Sequence, residues 1–212
     1  MILKQRNTTK IVGIDLAGSP RRPTGCCLID GDQVFLKVLF TDDEIMEDLS
    51  LTGPELVAVD APLSLPPGRR TIDEQNGVHF RPCDLELRKR GLKFFPVTIG
   101  PMRMLTERGI KIKERLEKIG VKVIEIYPGG AQDIWGLPRA KQNPEQLQSG
   151  LLAMLRKSGL RLAETVRARE SFLPDELDAL TAALVGWQYW QRKAEIYGFE
   201  PWIIVMPAGK KN

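Results

Sequence analysis

Three apolar runs in the sequence each end in a single carboxylate. Asp15 is the carboxylate of the run in IVGIDLAGSP, and Asp60 is that of the run in LVAVDAPLSLPPG. Glu125 is the carboxylate of the run in VKVIEIYPGG, and each of the three comes shortly before Gly or Pro. An unpaired carboxylate at the edge of an apolar core is costly to desolvate, so each requires a hydrogen-bonding turn, a cationic partner or a metal ion. The recurrence of this pattern makes the three acids the first candidates for chemistry.

The runs that carry these acids have the pattern of buried β-strands, because they are short, continuous and rich in β-branched residues. Asp30-Gly31 is a hairpin signal, which predicts that the first three strands form an antiparallel meander. A helix separates the fourth and fifth strands, so these two are expected to be parallel. The predicted strands are 10–17, 25–29, 33–40, 56–60 and 121–127, and the crossover helix is 102–119.

If the first and fourth strands are neighbours, Asp15 and Asp60 converge on one edge of the sheet, and a parallel fifth strand brings Glu125 to that edge. Asp178 lies near the start of an amphipathic helix that follows Pro174, and it can point toward the same edge. Four carboxylates without histidine predict an oxygen-rich Mg²⁺ or Mn²⁺ site. Such a cluster suits two-metal cleavage of phosphodiester bonds, in which the side chains act as ligands.

Each of these acids also has a structural interpretation. Asp15 and Asp60 can accept hydrogen bonds in a turn or at a helix start. Asp178 and its neighbour Asp175 can complement a helix N-terminus, and for Asp175 we favour that role. Glu125 can pair with an arginine of the basic segment described next.

The positive charge is concentrated in residues 81–118. This segment has 11 Lys and Arg against 5 Asp and Glu, whereas the whole chain has 31 against 27. A local excess of this kind suits a polyanionic partner such as DNA or RNA. A solvated helix face is the structural alternative.

The composition excludes several classes of site and protein. The only histidine is His79, which rules out sites that need two histidines. Cys26, Cys27 and Cys83 form neither an even disulfide set nor a CxxC pair, so we expect reduced, structural thiols. No stretch approaches the roughly 18 apolar residues of a membrane span, and we expect a soluble, cytoplasmic protein without a membrane partner.

As a set and in this order, several motifs resemble the family named domain of unknown function 429. They are VGIDLAGSP with TGCCLI, VAVDAPLSLP, RPCDLELRKRG, VIEIYPGG and DELDALTAALVG. The resemblance implies a nuclease with a ribonuclease H-like fold: an α/β mixed sheet of three antiparallel strands followed by parallel strands, flanked by helices. It also implies an acidic cation site made of Asp15, Asp60, Glu125 and Asp178, which match the acids of the family's motifs.

The same resemblance covers a segment rich in arginine. Arg81, Asp84 and Arg88 match the family's R-x-C-D-x-x-x-R segment. We expect Arg81 and Arg88, with Lys89 and Arg90, to bind the phosphates of the substrate. Alternatively, Asp84 holds Arg88 in an i,i+4 pair.

The resemblance departs from ribonuclease H in one respect. Ribonuclease H has a further acid in the helix between the third and fourth strands. Here that helix, which Thr41 is expected to cap together with Glu44, offers Glu44, Glu47 and Asp48 without a distinctive motif. The number of metal ions is therefore left open.

We expect one domain over residues 1–212, with a basic, Pro- and Gly-rich insertion at about 61–101 and a helical insertion at about 137–172. The leading hypothesis is a metal-dependent nuclease acting on DNA or RNA. The alternatives are a nucleotide-dependent phosphotransferase of the actin and sugar-kinase superfamily, which shares a core with this fold, and a non-catalytic nucleic-acid-binding module. Resolvases of branched substrates commonly form homodimers, but nothing in the sequence identifies a dimer face.

Overall fold

The computed structural model describes residues 9–93 and 95–209. The strands in these ranges are Lys10–Asp15 (β1), Thr24–Asp30 (β2), Gln33–Leu39 (β3), Leu56–Asp60 (β4), Lys122–Glu125 (β5), Arg161–Leu162 (β6), Ala194–Phe199 (β7) and Trp202–Pro207 (β8). The helices are Asp42–Thr52 (α1), Pro82–Lys89 (α2), Pro101–Lys118 (α3), Pro128–Trp135 (α4), Pro144–Lys157 (α5), Glu164–Arg167 (α6) and Pro174–Trp190 (α7).

Strands β1 to β6 form one mixed sheet in the order β5-β4-β1-β2-β3-β6. Strand β2 is antiparallel to β1 and β3, whereas β4 is parallel to β1 and β5 is parallel to β4. Three antiparallel strands followed by parallel strands confirm the mixed sheet that was expected for a ribonuclease H-like fold. The β1–β4 register pairs Asp15 with Asp60, so the ends of the first two acid-bearing strands lie side by side.

Side chains along the central strands alternate between two apolar layers, one on each face of the sheet. Ala58 belongs to the layer that includes α7, whereas Val59 belongs to the layer that includes α1 and α3. Because successive side chains of a strand point to opposite faces, Asp60 and its register partner Asp15 belong to the α7 face. Glu125 is paired with Val59 and therefore belongs to the opposite face.

Helix α7 approaches the sheet closely because two residues beneath it have no side chain. A Cβ atom at Gly13 would overlap the backbone of Ala179, and a Cβ atom at Gly25 would overlap the carbonyl of Asp175. The helix presents the small residues Ala179 and Ala183 at this contact. This contact determines how closely α7, the helix that carries Asp178, packs on the sheet.

We expect Gly13→Ala to destabilise the protein by about 3 kcal/mol or more, because the added methyl group meets backbone that cannot move aside. Urea unfolding measures the loss. Gly18→Ala is the matched control in the same motif, since its Cβ would have no atom nearer than 3.8 Å. A Gly13→Ala protein as stable as the Gly18→Ala protein would contradict this packing.

The end of the chain differs from the prediction. The motif PWIIVMP at 201–207 predicts a short final strand, and β8 confirms it. Its antiparallel partner β7 was not predicted. The hairpin joins the main sheet through a single parallel bridge between Ile126 and Val205. Elements α4, β6 and α6 were also not predicted, because each is too short to show a hydrophobic periodicity in the sequence.

The capping box predicted for α1 is present: Glu44 N–H donates to Thr41 Oγ1 over 3.1 Å, and the Glu44 carboxylate accepts from the Thr41 N–H. Cys26, Cys27 and Cys83 are free and buried, as expected. No helix within the described ranges is long and apolar enough to cross a membrane. The division into one domain with two insertions stays a prediction.

Candidate active site

Asp15 and Asp60 end neighbouring parallel strands on the face of the sheet that α7 covers. Both side chains are partly exposed, so the pair can be reached from solvent. The edge beyond the carboxyl ends of parallel strands is where open α/β sheets commonly hold ligands. The fold thus brings the first two predicted acids together at a place suited to chemistry.

Asp178, in the second turn of α7, lies near enough to act electrostatically on both Asp15 and Asp60. Its Oδ1 atom accepts a hydrogen bond of 2.7 Å from Gln132 Nε2, which also donates to Thr181 Oγ1 at 3.1 Å. Gln132 is fully buried on α4, and its Oε1 atom has no hydrogen-bond partner among the described residues. Gln132 therefore positions Asp178 and leaves one amide oxygen beside it. The sequence analysis missed this residue, although Pro128 after the fifth strand is a typical helix start.

The three carboxylates interact unfavourably with one another. Burial raises the pKa of Asp15 and of Asp60 well above the usual value. The negative charges of Asp178 and Asp175 raise the pKa of Asp15 further. The charges of Asp15 and Asp178 do the same for Asp60. Burial also raises the pKa of Asp178, although the Gln132 hydrogen bond opposes this shift. A set of desolvated, mutually repelling acids requires protons or a cation.

In metal-free solution, we expect stability to fall as the pH rises above the ordinary Asp pKa of about 4. A carboxyl group whose pKa is higher in the folded than in the unfolded state stabilises the fold at low pH, and this contribution is lost as the pH rises through the folded value. Asp15, Asp60 and Asp178 all shift in this direction. Urea unfolding in EDTA measures the slope, which Asp60→Asn should flatten; equal slopes would refute this expectation.

The donor set fits a hard divalent cation. Asp15, Asp60 and Asp178 offer carboxylate oxygens, and the unpartnered Gln132 Oε1 adds an amide oxygen, which are the ligand types of Mg²⁺ and Mn²⁺. As they stand, no three His, Cys, Asp or Glu side chains in the described part of the chain converge closely enough to hold one ion. Ion binding would therefore require the three carboxylates to approach one another more closely.

Glu125 is engaged elsewhere, in a buried network below this edge. Arg81 Nη1 donates to Glu125 Oε2 and Arg81 Nη2 donates to Glu125 Oε1, both at 2.6 Å. Arg81 also donates to Asp84, with 2.8 Å between Nη2 and Oδ1. Burial alone would lower the pKa of Arg81, but Glu125 and Asp84 raise it well above its usual range. The Leu63 N–H completes the network with a 2.8 Å hydrogen bond to Glu125 Oε2.

This network bears on three sequence-based expectations. Arg81 is 1% exposed, so a direct contact with substrate phosphate would require the network to open. Glu125 pairs with an arginine of the basic segment, as the structural alternative expected, and both of its oxygens accept hydrogen bonds from Arg81. Its coordination of an ion stays a prediction. The predicted pairing of Asp84 with Arg88 is wrong, because Asp84 turns inward to Arg81.

Three other predicted substrate-binding residues lie on the exposed face of α2 and at its end. Arg88 stacks over Phe80, with 4.4 Å between the guanidinium carbon and the ring centroid. Arg90 donates to Glu195 at 3.2 Å, and Lys89 is exposed. Their contact with phosphates stays a prediction.

Most cations of the segment 81–118 are neutralised by neighbouring carboxylates. Arg108 is buried, where it donates to Asp42 and to the Ala17 carbonyl, each at 2.6 Å. Arg115 forms an exposed pair with Asp43. Among the described residues of the segment, the cations without a carboxylate partner are Arg88, Lys89, Lys93 and Lys118.

Other cations lie close enough to act on the three carboxylates. The positive charge of Lys141 acts to lower the pKa of all three acids. Arg22 acts in the same direction on Asp15, and Arg139 on Asp178. None of these belongs to the predicted basic segment, and no periodic signal marks them. They place positive charge around the carboxylates.

The acids of α1 have other partners. Glu44 caps the helix, accepting from the Phe40 N–H at 2.8 Å, and Asp48 pairs with Lys37. Helix α1 packs in the apolar layer opposite α7, through Ile45 and Leu49. The site described here therefore draws on β1, β4 and α7 and not on α1.

A cavity of about 250 Å³ opens beside Asp60. The loop after β4, the end of β5 and the first turns of α3 form its walls, and the Arg81 network lies at its base. Asp60 therefore belongs both to the group of three carboxylates and to the lining of this cavity.

Comparison with known proteins gives a family match over most of the chain. Residues 13–200 match the family described as "Protein of unknown function (DUF429)", a range that includes all four predicted acids. A solved structure, "Crystal Structure of the Yeast Mitochondrial Holliday Junction Resolvase, Ydc2", is similar with a TM-score of 0.46 and 14% identity, over 87% of this chain and 80% of that chain. No curated protein matches the chain at the significance required.

Proposed function

The chain belongs to the family described as protein of unknown function (DUF429), and from that premise we propose that it is a divalent-metal-dependent nuclease that hydrolyses phosphodiester bonds of DNA or RNA. The observation that carries this proposal is the set of three desolvated carboxylates at the carboxyl edge of β1 and β4. Their raised pKa values reflect negative charge that is poorly compensated, and a divalent cation would neutralise it.

In this proposal Asp15, Asp60 and Asp178 hold Mg²⁺ or Mn²⁺, and Gln132 orients Asp178 through the 2.7 Å hydrogen bond. The bound cation would supply activation of the attacking water and charge stabilisation at the leaving oxygen. Glu125 supports the edge from below by fixing Arg81 and the Leu63 backbone, rather than as a ligand.

The cations around the carboxylates would bind the nucleic acid backbone. Arg22, Lys141 and Arg139 are near enough to the acids to change their pKa values, so phosphates held by these cations would lie at the carboxylates. Arg88 and Lys89, both exposed on α2, would contact further phosphates along the nucleic acid strand. Such contacts position a backbone without reading its sequence.

The state of the thiols bears on the compartment, and the symmetry of a branched substrate bears on the assembly. Three buried, free thiols suit a reducing compartment, and we place the protein in the cytoplasm on that ground. Two copies acting on a symmetric branched substrate would form a homodimer, which sedimentation with and without substrate would measure.

The test is cleavage of a panel of substrates with Mg²⁺ or Mn²⁺: single-stranded DNA, duplex, four-way junction, RNA and RNA–DNA hybrid. We expect cation-dependent cleavage of at least one substrate, and a loss of at least about 10³-fold in Asp60→Asn, because several kcal/mol of transition-state stabilisation disappear. Asp32→Asn, which changes an exposed acid paired with Arg161, is the control and should retain activity.

Other outcomes would point to the other functions. Equal cleavage by wild type and Asp60→Asn would refute the proposal. Stabilisation by ATP without cleavage would favour a phosphotransferase. Salt-sensitive binding of nucleic acid that EDTA does not change, again without cleavage, would favour a binding module.

A further inference from the structure

The cavity beside Asp60 combines an apolar wall with a polar one. Met102 and Leu105 of α3 face it from one side together with Val97, and Ile204 of β8 closes it. Its volume of about 250 Å³ is below the roughly 300–1,000 Å³ of sites for drug-sized ligands. The space therefore fits one flat heterocycle better than a larger ligand.

The polar wall is ordered by hydrogen bonds. Tyr127 Oη donates to the Lys93 carbonyl over 3.0 Å and accepts from Arg139 Nη1 over 2.9 Å. Arg139 also lies over the Tyr127 ring, 5.6 Å from its centroid. Tyr127, Lys93 and Arg139 thus bring an aromatic ring and two cations to the lining of one cavity, and Arg139 is also paired with Asp133.

A second aromatic ring is exposed at the cavity. Phe95 lines it and is 75% exposed. Solvent-exposed aromatic side chains next to cations are the platforms on which unpaired bases stack in single-strand-binding proteins. A ring exposed to this extent can contact a ligand without disturbing the core.

We propose that this cavity accepts one unpaired nucleobase of the substrate strand, which places the adjoining phosphodiester at Asp60 and its neighbouring carboxylates. The inference rests on the proposed nuclease function and adds a substrate class to it. A base inside a duplex cannot enter such a cavity without leaving its stack, and the energetic cost is smallest for a mismatched or single-stranded base. The protein should therefore prefer single strands, mismatches and unpaired positions at branches over intact duplex.

The test measures binding separately from cleavage. Fluorescence anisotropy with Ca²⁺ in place of Mg²⁺ would give the affinity of the whole chain for a labelled single strand, the same strand with one abasic position, and the matched duplex. Phe95→Ala removes the stacking surface and Met102→Trp fills the cavity. Ile99→Ala and Met104→Trp are the controls, since both residues are exposed in the same region and do not line the cavity.

We expect the single strand to bind more tightly than the duplex, and Phe95→Ala and Met102→Trp to weaken this binding roughly 5- to 100-fold, the effect of losing one base–aromatic contact. The controls should stay within about twofold of wild type. Equal affinities of all variants, or equal affinities for single strand and duplex, would overturn the inference.

The two proposals fail in different ways. If the wild-type protein shows this binding pattern but cleaves nothing with Mg²⁺ or Mn²⁺, the cavity inference stands and the nuclease function is refuted. If the wild-type protein cleaves, and Phe95→Ala and Met102→Trp bind and cleave as it does, the nuclease function stands and the cavity inference is refuted.

Discussion

Asp60→Asn is expected to stabilise the metal-free protein while removing its response to divalent cations. Asp60 is held beside Asp15 and Asp178 in a desolvated position, so neutralising it removes an uncompensated charge without changing the shape of the side chain. The gain should be about 1–3 kcal/mol, the usual cost of an uncompensated buried polar group. In a protein of 212 residues this corresponds to a rise of roughly 2–10 °C in melting temperature.

Thermal melting in EDTA and in Mg²⁺ or Mn²⁺ measures both effects. The wild-type melting temperature should rise when the cation is added, because binding to the folded state alone stabilises it. The melting temperature of Asp60→Asn should be higher than that of wild type in EDTA and should rise little when the cation is added. Asp32→Asn should behave as wild type, and an Asp60→Asn protein less stable than wild type in EDTA would contradict the account.

Arg81→Met should cost about 3–5 kcal/mol, the largest loss expected for any single side chain discussed here. The substitution leaves Glu125 and Asp84 buried, charged and without their common partner. Urea unfolding at neutral pH measures the loss. Acidification should reduce it, because protonation of the two carboxyl groups removes the unpaired charge.

Two further variants make this prediction specific. Arg81→Lys retains the charge but not the paired N–H donors, so its stability should lie between those of wild type and Arg81→Met. Arg90→Met breaks the exposed pair with Glu195 and the contact with the Tyr197 ring, and it should change stability by about 1 kcal/mol or less. A loss below 1 kcal/mol for Arg81→Met would show that the network does not support the fold.

Sequence reasoning predicted the sheet well, because its strands carry strong local signals. Asp30-Gly31 marks the hairpin and the fourth strand, 56–60, has the predicted bounds. Asn143 caps α5 through the Gln146 N–H at 3.0 Å, at the predicted helix start. Parallel pairing of β1 with β4 then follows from the fold class, and it places Asp15 beside Asp60.

The position of Glu125 could not be predicted in the same way. A carboxylate at the end of a strand reaches either face of the sheet, and a shift of one residue in register exchanges the faces. The observed register pairs Glu125 with Val59 rather than with Asp60. This single difference sends Glu125 toward Arg81, away from the face that carries Asp15.

The supporting residues of the site were missed for a different reason. Gln132 lies on an eight-residue helix without a clear period, and Arg22 and Lys141 lie in loops. Their nearness to the carboxylates depends on long-range packing, which leaves no local pattern in the sequence. The predicted basic segment was a real excess of charge, but neighbouring acids neutralise most of it.

The most direct test of the central claim is a titration of the protein with Mn²⁺, followed by electron paramagnetic resonance of the free ion. The account predicts that wild type binds one or two Mn²⁺ ions per chain at neutral pH, that Asp32→Asn binds the same number, and that Asp60→Asn loses this binding. Equal Mn²⁺ binding by Asp60→Asn and wild type would contradict the assignment of these carboxylates to a cation site.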